Sequence, residues 1–348
     1  MENAPLIMAI KGDSGPRKVG HTEHRNSVPW WREVADTGRV DDQMIGYARK
    51  AFGWTGDVAV SAGPRGALGQ IWRVDTGGRS FALKELFTEP KGPIEPELDF
   101  VRRATAAGVK VPLAHPDRDG NYLVESGKWL RLYDWVDLRP VDLTPPETPR
   151  RLGELFARLH RCAPPMTGAE VHPWYRTVPA QEEWTALLPA AGSFDGLADI
   201  PLLSALVTAP KPEELILCHR DLHPENVLED PTGELVVIDW DNIGPATPAR
   251  EIAQALFDWY CDPEPDLTSM RAMYKAYVDA GGSGRLTSTA DFTMLVAVRL
   301  NFLLLQSRIA LDPETEPQHR EWAEREVEEA QRILPTPRHF TDVLRALR

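Results

Sequence analysis

The chain has 348 residues and a formal net charge of −13, long enough for about two domains at roughly 150 residues each. Its hydrophobic fraction of 42% and charged fraction of 26% match globular averages and exclude wholesale disorder or a fibrous architecture. The acidity disfavours nucleic-acid partners, which need clustered Lys and Arg, and is compatible with plain solubility or with a cationic substrate. Cys162, Cys218 and Cys261 are scattered without C-x-x-C spacing, which argues against a disulfide scaffold and a thiolate zinc knuckle and fits a reducing cytoplasm. No run is expected to reach the ~18 apolar residues of a membrane span, and no basic region precedes an apolar core at the N-terminus, so neither a membrane partner nor export is expected.

Residues 1–38 mix Gly, Pro, His and charges without periodicity and read as a flexible N-terminal arm, with one docked patch at Val28-Pro29-Trp30-Trp31. From Asp41 the spacing of Met44, Ile45, Ala48 and Phe52 predicts a helix, capped by Asp41 or Asp42 and stopped at Gly53. Val58 to Val60, Gln70 to Val74 and Ser80 to Leu83 are β-prone runs separated by glycine-rich turns, and predict an antiparallel meander. A helix over Glu97 to Ala107 follows, then Val109 to Leu113, a polar turn, and strands at Tyr122 to Glu125 and Leu130 to Tyr133. The first lobe, 39–137, is thus β-rich, and Pro140, Pro145, Pro146 and Pro149 mark a connector. Beyond it, 138–348 reads as a mainly helical second lobe, with helical windows at Leu152 to Leu159, Ile252 to Tyr260, Met270 to Val278 and Phe292 to Leu311. An acidic final stretch follows, whose Trp322, Val327 and Ile333 are expected to face inward.

The chemistry concentrates in 215-LILCHRDLHPENVL-228 and 235-LVVIDWDNIG-244. An apolar strand leads into a loop holding Asp221, with Asn226 five positions on, and a second apolar strand ends at Asp239. Two strand ends can converge on one site. Phosphoryl transfer needs such a kit, because Mg2+ takes hard oxygen ligands and the acceptor hydroxyl needs a positioned proton acceptor. Asp221 suits the base, and Asn226 and Asp239 suit the metal. Cys218, His219, Asp221 and His223 lie close in sequence, but no second ligand pair accompanies them, which argues against zinc.

His219-Arg220-Asp221-Leu222 with Asn226 resembles the kinase catalytic loop. The larger resemblance, through His219, Asp221, Leu222, His223, Asn226 and Ile238-Asp239-Trp240, is to the aminoglycoside phosphotransferase and choline kinase-like superfamily. Protein kinases fit less well, since they carry a lysine where His223 stands and a Phe-Gly pair where Trp240-Asp241 stands. The resemblance implies an α+β, protein kinase-like bilobal fold, with ATP or GTP and Mg2+, in two ions, bound between the lobes. It makes Glu251 a carboxylate bracing the catalytic loop, and Lys84 the strand lysine that holds the α and β phosphates with Glu97 as its ion-pair partner, Glu95 being the alternative. Gly66 and Gly69 would help to cover the phosphates, while the Tyr133 carbonyl and Trp135 amide would bind the base. His219 would support the loop from beneath, His223 would lie near phosphate, and Asp241 would touch the second metal or cap a turn.

The implied reaction moves a γ-phosphate to a hydroxyl of a small molecule, with an aminoglycoside-like antibiotic as the leading acceptor. A sugar, an amino alcohol or a peptide Ser/Thr hydroxyl is the alternative within the class, and a catalytically silent nucleotide-binding module the alternative outside it. The sequence leaves the oligomeric state open. For a cationic acceptor, the acidic segments 262–266 and 312–316 are the candidate contacts.

Overall fold

Asp41 starts the first helix, its carboxylate accepting from the amides of Gln43 at 2.9 Å and Met44 at 3.3 Å, two donors that the first helical turn leaves unpaired. In this computed structural model, which describes residues 40–65, 69–90, 92–191 and 199–348, that helix is α1 (Asp42–Ala51). The expected arm 1–38, with its patch at Val28 to Trp31, and Gly66 of the glycine-rich loop lie outside the described residues.

Three strands follow, β1 (Val58–Arg65), β2 (Gly69–Thr76) and β3 (Arg79–Leu86), in an antiparallel meander. After α2 (Glu95–Ala106) come β4 (Ala114–His115), β5 (Val124–Glu125) and β6 (Trp129–Asp134). The sheet runs β1-β2-β3-β6-β4, with β5 also on β6. Alternation along the strands sends Trp72, Val74, Phe81, Leu83, Leu130 and Leu132 to one face, where Met44 and Ala48 of α1 cover them. The opposite face carries the cross-strand pair Lys84 and Arg131 and looks into the cleft. Contrary to expectation, β1 continues through Gly63 and Pro64 to Arg65, with an irregular register between Ala62 and Arg65; Lys110 makes an isolated bridge to Val236.

The connector enters the second lobe as a short strand, β7 (Arg139–Pro140), which pairs with β9 (Val227–Glu229) after α3 (Thr148–Cys162), α4 (Gln181–Ala191), α5 (Ile200–Ser204) and β8 (Ile216–Cys218). Next come β10 (Leu235–Val237), β11 (Gly244–Ala246) and the helices α6 (Pro248–Tyr260), α7 (Leu267–Asp279), α8 (Thr293–Leu311), α9 (Pro317–Arg332) and α10 (Pro337–Leu347). One core of buried side chains runs through these helices and takes in Phe100 and Ala104 of α2. Helix α8 corrects the expectation about apolar runs: Thr289–Leu311 is long and apolar enough to cross a membrane, with a mean hydropathy of 1.5, but 67% of that window is buried inside the fold. It is the central helix of the lobe. The buried face of α9 is Ala323, Glu326 and Ala330, whereas Trp322, Val327 and Ile333 are half-buried, because small residues let α9 lie close against α8.

Helices α3 and α7 approach closely at Gly153, where a Cβ would stand 2.1 Å from the Met273 carbonyl oxygen. Alanine would gain about 1 kcal/mol of helix propensity over glycine, but backbone cannot retreat as a flexible side chain can. Overpacking of this kind costs about 1–3 kcal/mol. Gly153→Val, which lacks alanine's propensity and adds bulk, should destabilise the protein by about 2 kcal/mol or more in urea denaturation. An unchanged midpoint would show that the two helices are not packed this tightly.

Candidate active site

The site is built where two strand ends lie side by side. Strands β8 and β11 pair antiparallel, with Cys218 opposite Gly244, so the loop leaving β8 at His219 runs beside the segment 239–243. The loop contains Arg220 at φ 67° and the second segment begins with Asp239 at φ 56°, the non-glycine residues with positive φ among the described residues. Such a conformation costs roughly 1–2 kcal/mol for an L-residue. At Arg220 the surroundings hold it in place. Its amide donates to Glu251, its Nε to the Asn242 carbonyl at 2.6 Å and its Nη2 to the Ile243 carbonyl at 2.9 Å, with the guanidinium 4.1 Å from the Tyr175 ring centroid. Gly244 makes room, since a Cβ there would stand 2.4 Å from the Arg220 guanidinium carbon.

Glu251 extends the brace into the core. His160 on α3 bonds it through Nε2 at 2.6 Å and bonds the Tyr277 hydroxyl through Nδ1 at 2.7 Å. Burial raises the Glu251 pKa, but His160 and the Arg220 amide outweigh it and hold the group below the ordinary value. His160, Cys218 and Glu251 lie close enough to share a metal ion, but the histidine and carboxylate are already committed to these hydrogen bonds.

Asp221 is buried, 3% exposed. Its Oδ2 accepts from Asn226 Nδ2 and Asn242 Nδ2, each at 3.0 Å, and Asn226 Nδ2 also donates to its backbone carbonyl. Oδ1 has no hydrogen-bond partner among the described residues and lies 3.4 Å from His223 Nε2. The Glu225 amide lies 3.3 Å from His223 Nδ1, and Asn226 Nδ2 lies 3.1 Å from its Nε2. Burial disfavours the imidazolium, yet the Asp221 carboxylate raises the His223 pKa to about 9. His219 bonds the Ile238 carbonyl at 3.1 Å through Nε2, with its ring 4.9 Å from that of Trp240, and burial lowers its pKa. It therefore lies under the loop and ties it to the strand carrying Asp239.

From the other lobe, Lys84 reaches across the cleft. Its Nζ donates to Asp239 Oδ1 at 2.9 Å and to Asp241 Oδ2 at 2.6 Å. Burial opposes its charge, and the two carboxylates more than offset this, raising its pKa. The expected Lys84–Glu97 pair is not formed. Both Glu97 oxygens are taken by Arg131 of β6, which also donates to Asp241 at 2.9 Å. The Trp135 amide donates to the Ser80 carbonyl at 3.3 Å, and Tyr133 sits inside β6 between Ala82 and Ala114, so neither backbone group projects from a free edge. Gly69 is in β2, where a Cβ would stand 2.4 Å from the Glu85 carbonyl oxygen; close strand packing already requires a glycine there.

Sequence reasoning passed over Arg131, Asn242 and His160. Arg131 had a signal, since it alternates with Leu130 and Leu132 and must face away from the core that they enter. The acidic segments are largely occupied: Asp266 caps α7, Asp262 pairs with Arg332, and Asp312 accepts from the Glu314 amide.

A β-rich lobe and a helical lobe enclosing a strand lysine, two aspartates in the segment after β10 and a buried loop aspartate define a kinase-like fold. The sequence profile of the phosphotransferase enzyme family matches residues 60–288. The chain belongs to that family and is a phosphotransferase. No curated protein matches it. Among solved structures it is similar to the amicoumacin kinase hAmiN in complex with AMP-PNP, Ca2+ and Ami, at 19% identity and TM-score 0.58, covering 87% of this chain and 97% of that one. It is also similar to spectinomycin phosphotransferase APH(9)-Ia in complex with ADP and spectinomycin, at 15% identity and TM-score 0.64, covering 89% and 99%. A third is a microcompartment-associated aminopropanol kinase, at 21% identity and TM-score 0.58, covering 88% and 100%.

Removing a partner from a buried charged pair costs about 3–5 kcal/mol, so Glu251→Ala should destabilise the chain on that scale. Glu251→Gln keeps an acceptor for the Arg220 amide and isolates the charge. Because the folded pKa is depressed, the charge contributes fully above the ordinary glutamate value of 4.5 and its contribution is lost as pH falls through the lower folded value. The stability gap between wild type and Glu251→Gln, followed by circular dichroism, should therefore narrow in acid. A gap independent of pH would remove the charge from the account.

Proposed function

We propose that the chain transfers the γ-phosphoryl group of ATP or GTP to a hydroxyl of a small molecule. The observation that supports this best is the reach of Lys84 from β3 to Asp239 and Asp241 at 2.9 and 2.6 Å, which joins the two lobes at a cluster of charges suited to phosphate. The residues fit Mg2+: Asp239, Asp241 and the carbonyl oxygen of Asn226 are hard oxygen donors, and two of them already converge on a cation, the Lys84 ammonium. Asp239 and Asn226 would hold the metal, in one or two ions, which supplies neutralisation of charge on the phosphoryl oxygens.

Asp221 accepts the proton of the acceptor hydroxyl at Oδ1, the oxygen that the surrounding amides leave unbonded, while Asn226 and Asn242 fix its orientation through Oδ2. Lys84 exchanges its aspartates for the α and β phosphates. The adenine nucleotides named for amicoumacin kinase and spectinomycin phosphotransferase favour ATP. Their antibiotic acceptors favour an aminoglycoside-like antibiotic here. A second reading, an amino alcohol, is favoured by the engagement of the acidic segments in caps and ion pairs, which leaves less free charge for a polycation, and by the aminopropanol kinase likeness. The three free cysteines suit work in a reducing compartment.

Purified protein should label one acceptor in a panel of aminoglycosides, other antibiotics, amino alcohols and sugars incubated with radiolabelled ATP or GTP. With that acceptor, Asp221→Asn should cut kcat by about 10²–10⁴ while leaving nucleotide affinity in place; near wild-type turnover would remove Asp221 from the role of base. Asp239→Ala should abolish the Mg2+ dependence of nucleotide binding, and an unchanged dependence would exclude Asp239 as a ligand.

A further inference from the structure

Arg131 is the cleft group that neither the expected roles nor the proposed reaction uses. It stands on β6 directly opposite Lys84 on β3, so both cations project from the same face of the sheet. Its side chain is 5% exposed. Nη1 donates to Glu97 Oε2 at 3.0 Å and to Asp241 Oδ1 at 2.9 Å, and Nη2 donates to Glu97 Oε1. One guanidinium thus links α2 to the turn that follows Asp239. A planar fork can serve two carboxylates at once, which an ammonium cannot do with the same geometry.

The pairing changes what Lys84 can do. With both oxygens of Glu97 committed to Arg131, the helix carboxylate does not tether Lys84, which is shared instead between Asp239 and Asp241. When Lys84 turns to a nucleotide, Asp241 retains a cation at 2.9 Å and does not become an uncompensated charge in the cleft. Burying a guanidinium is a poor route to stability compared with apolar packing. Its place is explained by what it holds.

Resting on the reading of Lys84 and Asp239 as the nucleotide-metal site, we propose that Arg131 is a positioning residue of that site. It clamps Glu97 and Asp241 together so that Lys84 is free to pass from the aspartates to the phosphates. Loss of the clamp frees Glu97 to compete for Lys84 and leaves Asp241 with Lys84 as its one cation, and binding of the metal nucleotide suffers first.

The test uses the full chain with Mg·ATP, and ATP in EDTA, as calorimetric probes. Arg131→Met should weaken Mg·ATP by at least about tenfold, as expected for loss of one charge-assisted contact of the complex, and should change metal-free ATP much less. Arg131→Lys should restore only part of the loss. Glu97→Gln, which keeps the side-chain shape, should weaken Mg·ATP in the same direction, and adding it to Arg131→Met should cost little more, because the two act as one unit. It also serves as the probe should Arg131→Met fail to fold. Equal losses with and without metal, or full rescue by lysine, would reduce Arg131 to general packing and overturn the proposal. Wild-type Mg·ATP affinity in the Arg131 and Glu97 variants, with affinity lost in Asp239→Ala, would overturn it while leaving the proposed function standing. Unchanged affinity in Asp239→Ala as well would overturn both.

Discussion

The site depends on a single buried carboxylate. Glu251 accepts the amide of Arg220, and that bond helps to hold the catalytic loop at a backbone angle that the sequence alone would avoid. The loop turns sharply there, between the end of β8 and Asp221, so the direction of the Asp221 carboxylate is set at Arg220. Because Glu251 sits on α6 and is itself held by His160 on α3, whose partner Tyr277 lies on α7 and accepts from the Gly284 amide, the loop inherits the rigidity of three helices. Pre-organisation of this sort matters for a reaction catalysed chiefly by position and charge, since displacement by 1 Å can cost about 10²-fold in rate.

The second constraint is electrostatic and joins the lobes. Lys84 and Arg131 face Glu97, Asp239 and Asp241, two cations against three carboxylates, mostly removed from water. Such a cluster is stabilised by its internal pairing but keeps an excess of negative charge, which a divalent cation is suited to balance. The two halves differ in mobility. Arg131 is pinned by three hydrogen bonds from two nitrogens, whereas Lys84 has a flexible stem and a point charge that can change partners. Guanidinium and ammonium thus share Asp241, while Arg131 alone holds Glu97 and Lys84 alone holds Asp239.

How far the sequence foretold this differs by feature. The α1 helix and its Asp41 cap were legible because both periodicity and capping are local, and the meander was legible from its alternating faces. The extension of β1 to Arg65 was not, since Ser-Ala-Gly-Pro-Arg has little strand preference and is held by pairing with β2. On α9, Val327 packs against the core as expected, but the buried Ala323 and Ala330 were passed over because large side chains were given priority over the small ones that allow close approach. At the site, the convergence of the Asp221 loop with the segment that begins at Asp239 was legible from the two apolar runs that lead into them. The partner of Lys84 was not: Glu97 lies in the first turn of α2 as expected, but the choice between two cations on adjacent strands is made by their register, which appears only when β3 and β6 are paired.

Register also explains how so short a segment serves so many partners. Asp239 adopts the left-handed conformation, and a single 3-10 turn, Trp240–Asn242, follows it. Consecutive side chains on such a turn diverge by about 120° because it has about three residues per turn. Trp240 enters the core, edge-on to Phe100 at 5.2 Å and to His219 at 4.9 Å. Asp241 returns to Lys84 and Arg131. Asn242 gives its side-chain amide to Asp221 and its carbonyl to Arg220. One turn thus fastens the helix α2, the cleft cations, the buried aspartate and the strained arginine to the strand that ends in Asp239. A strand continuing past Asp239 would send alternate residues to only two faces and could not supply these contacts. The left-handed aspartate is therefore the break in the strand that lets one segment address the core, the cleft and the catalytic loop together.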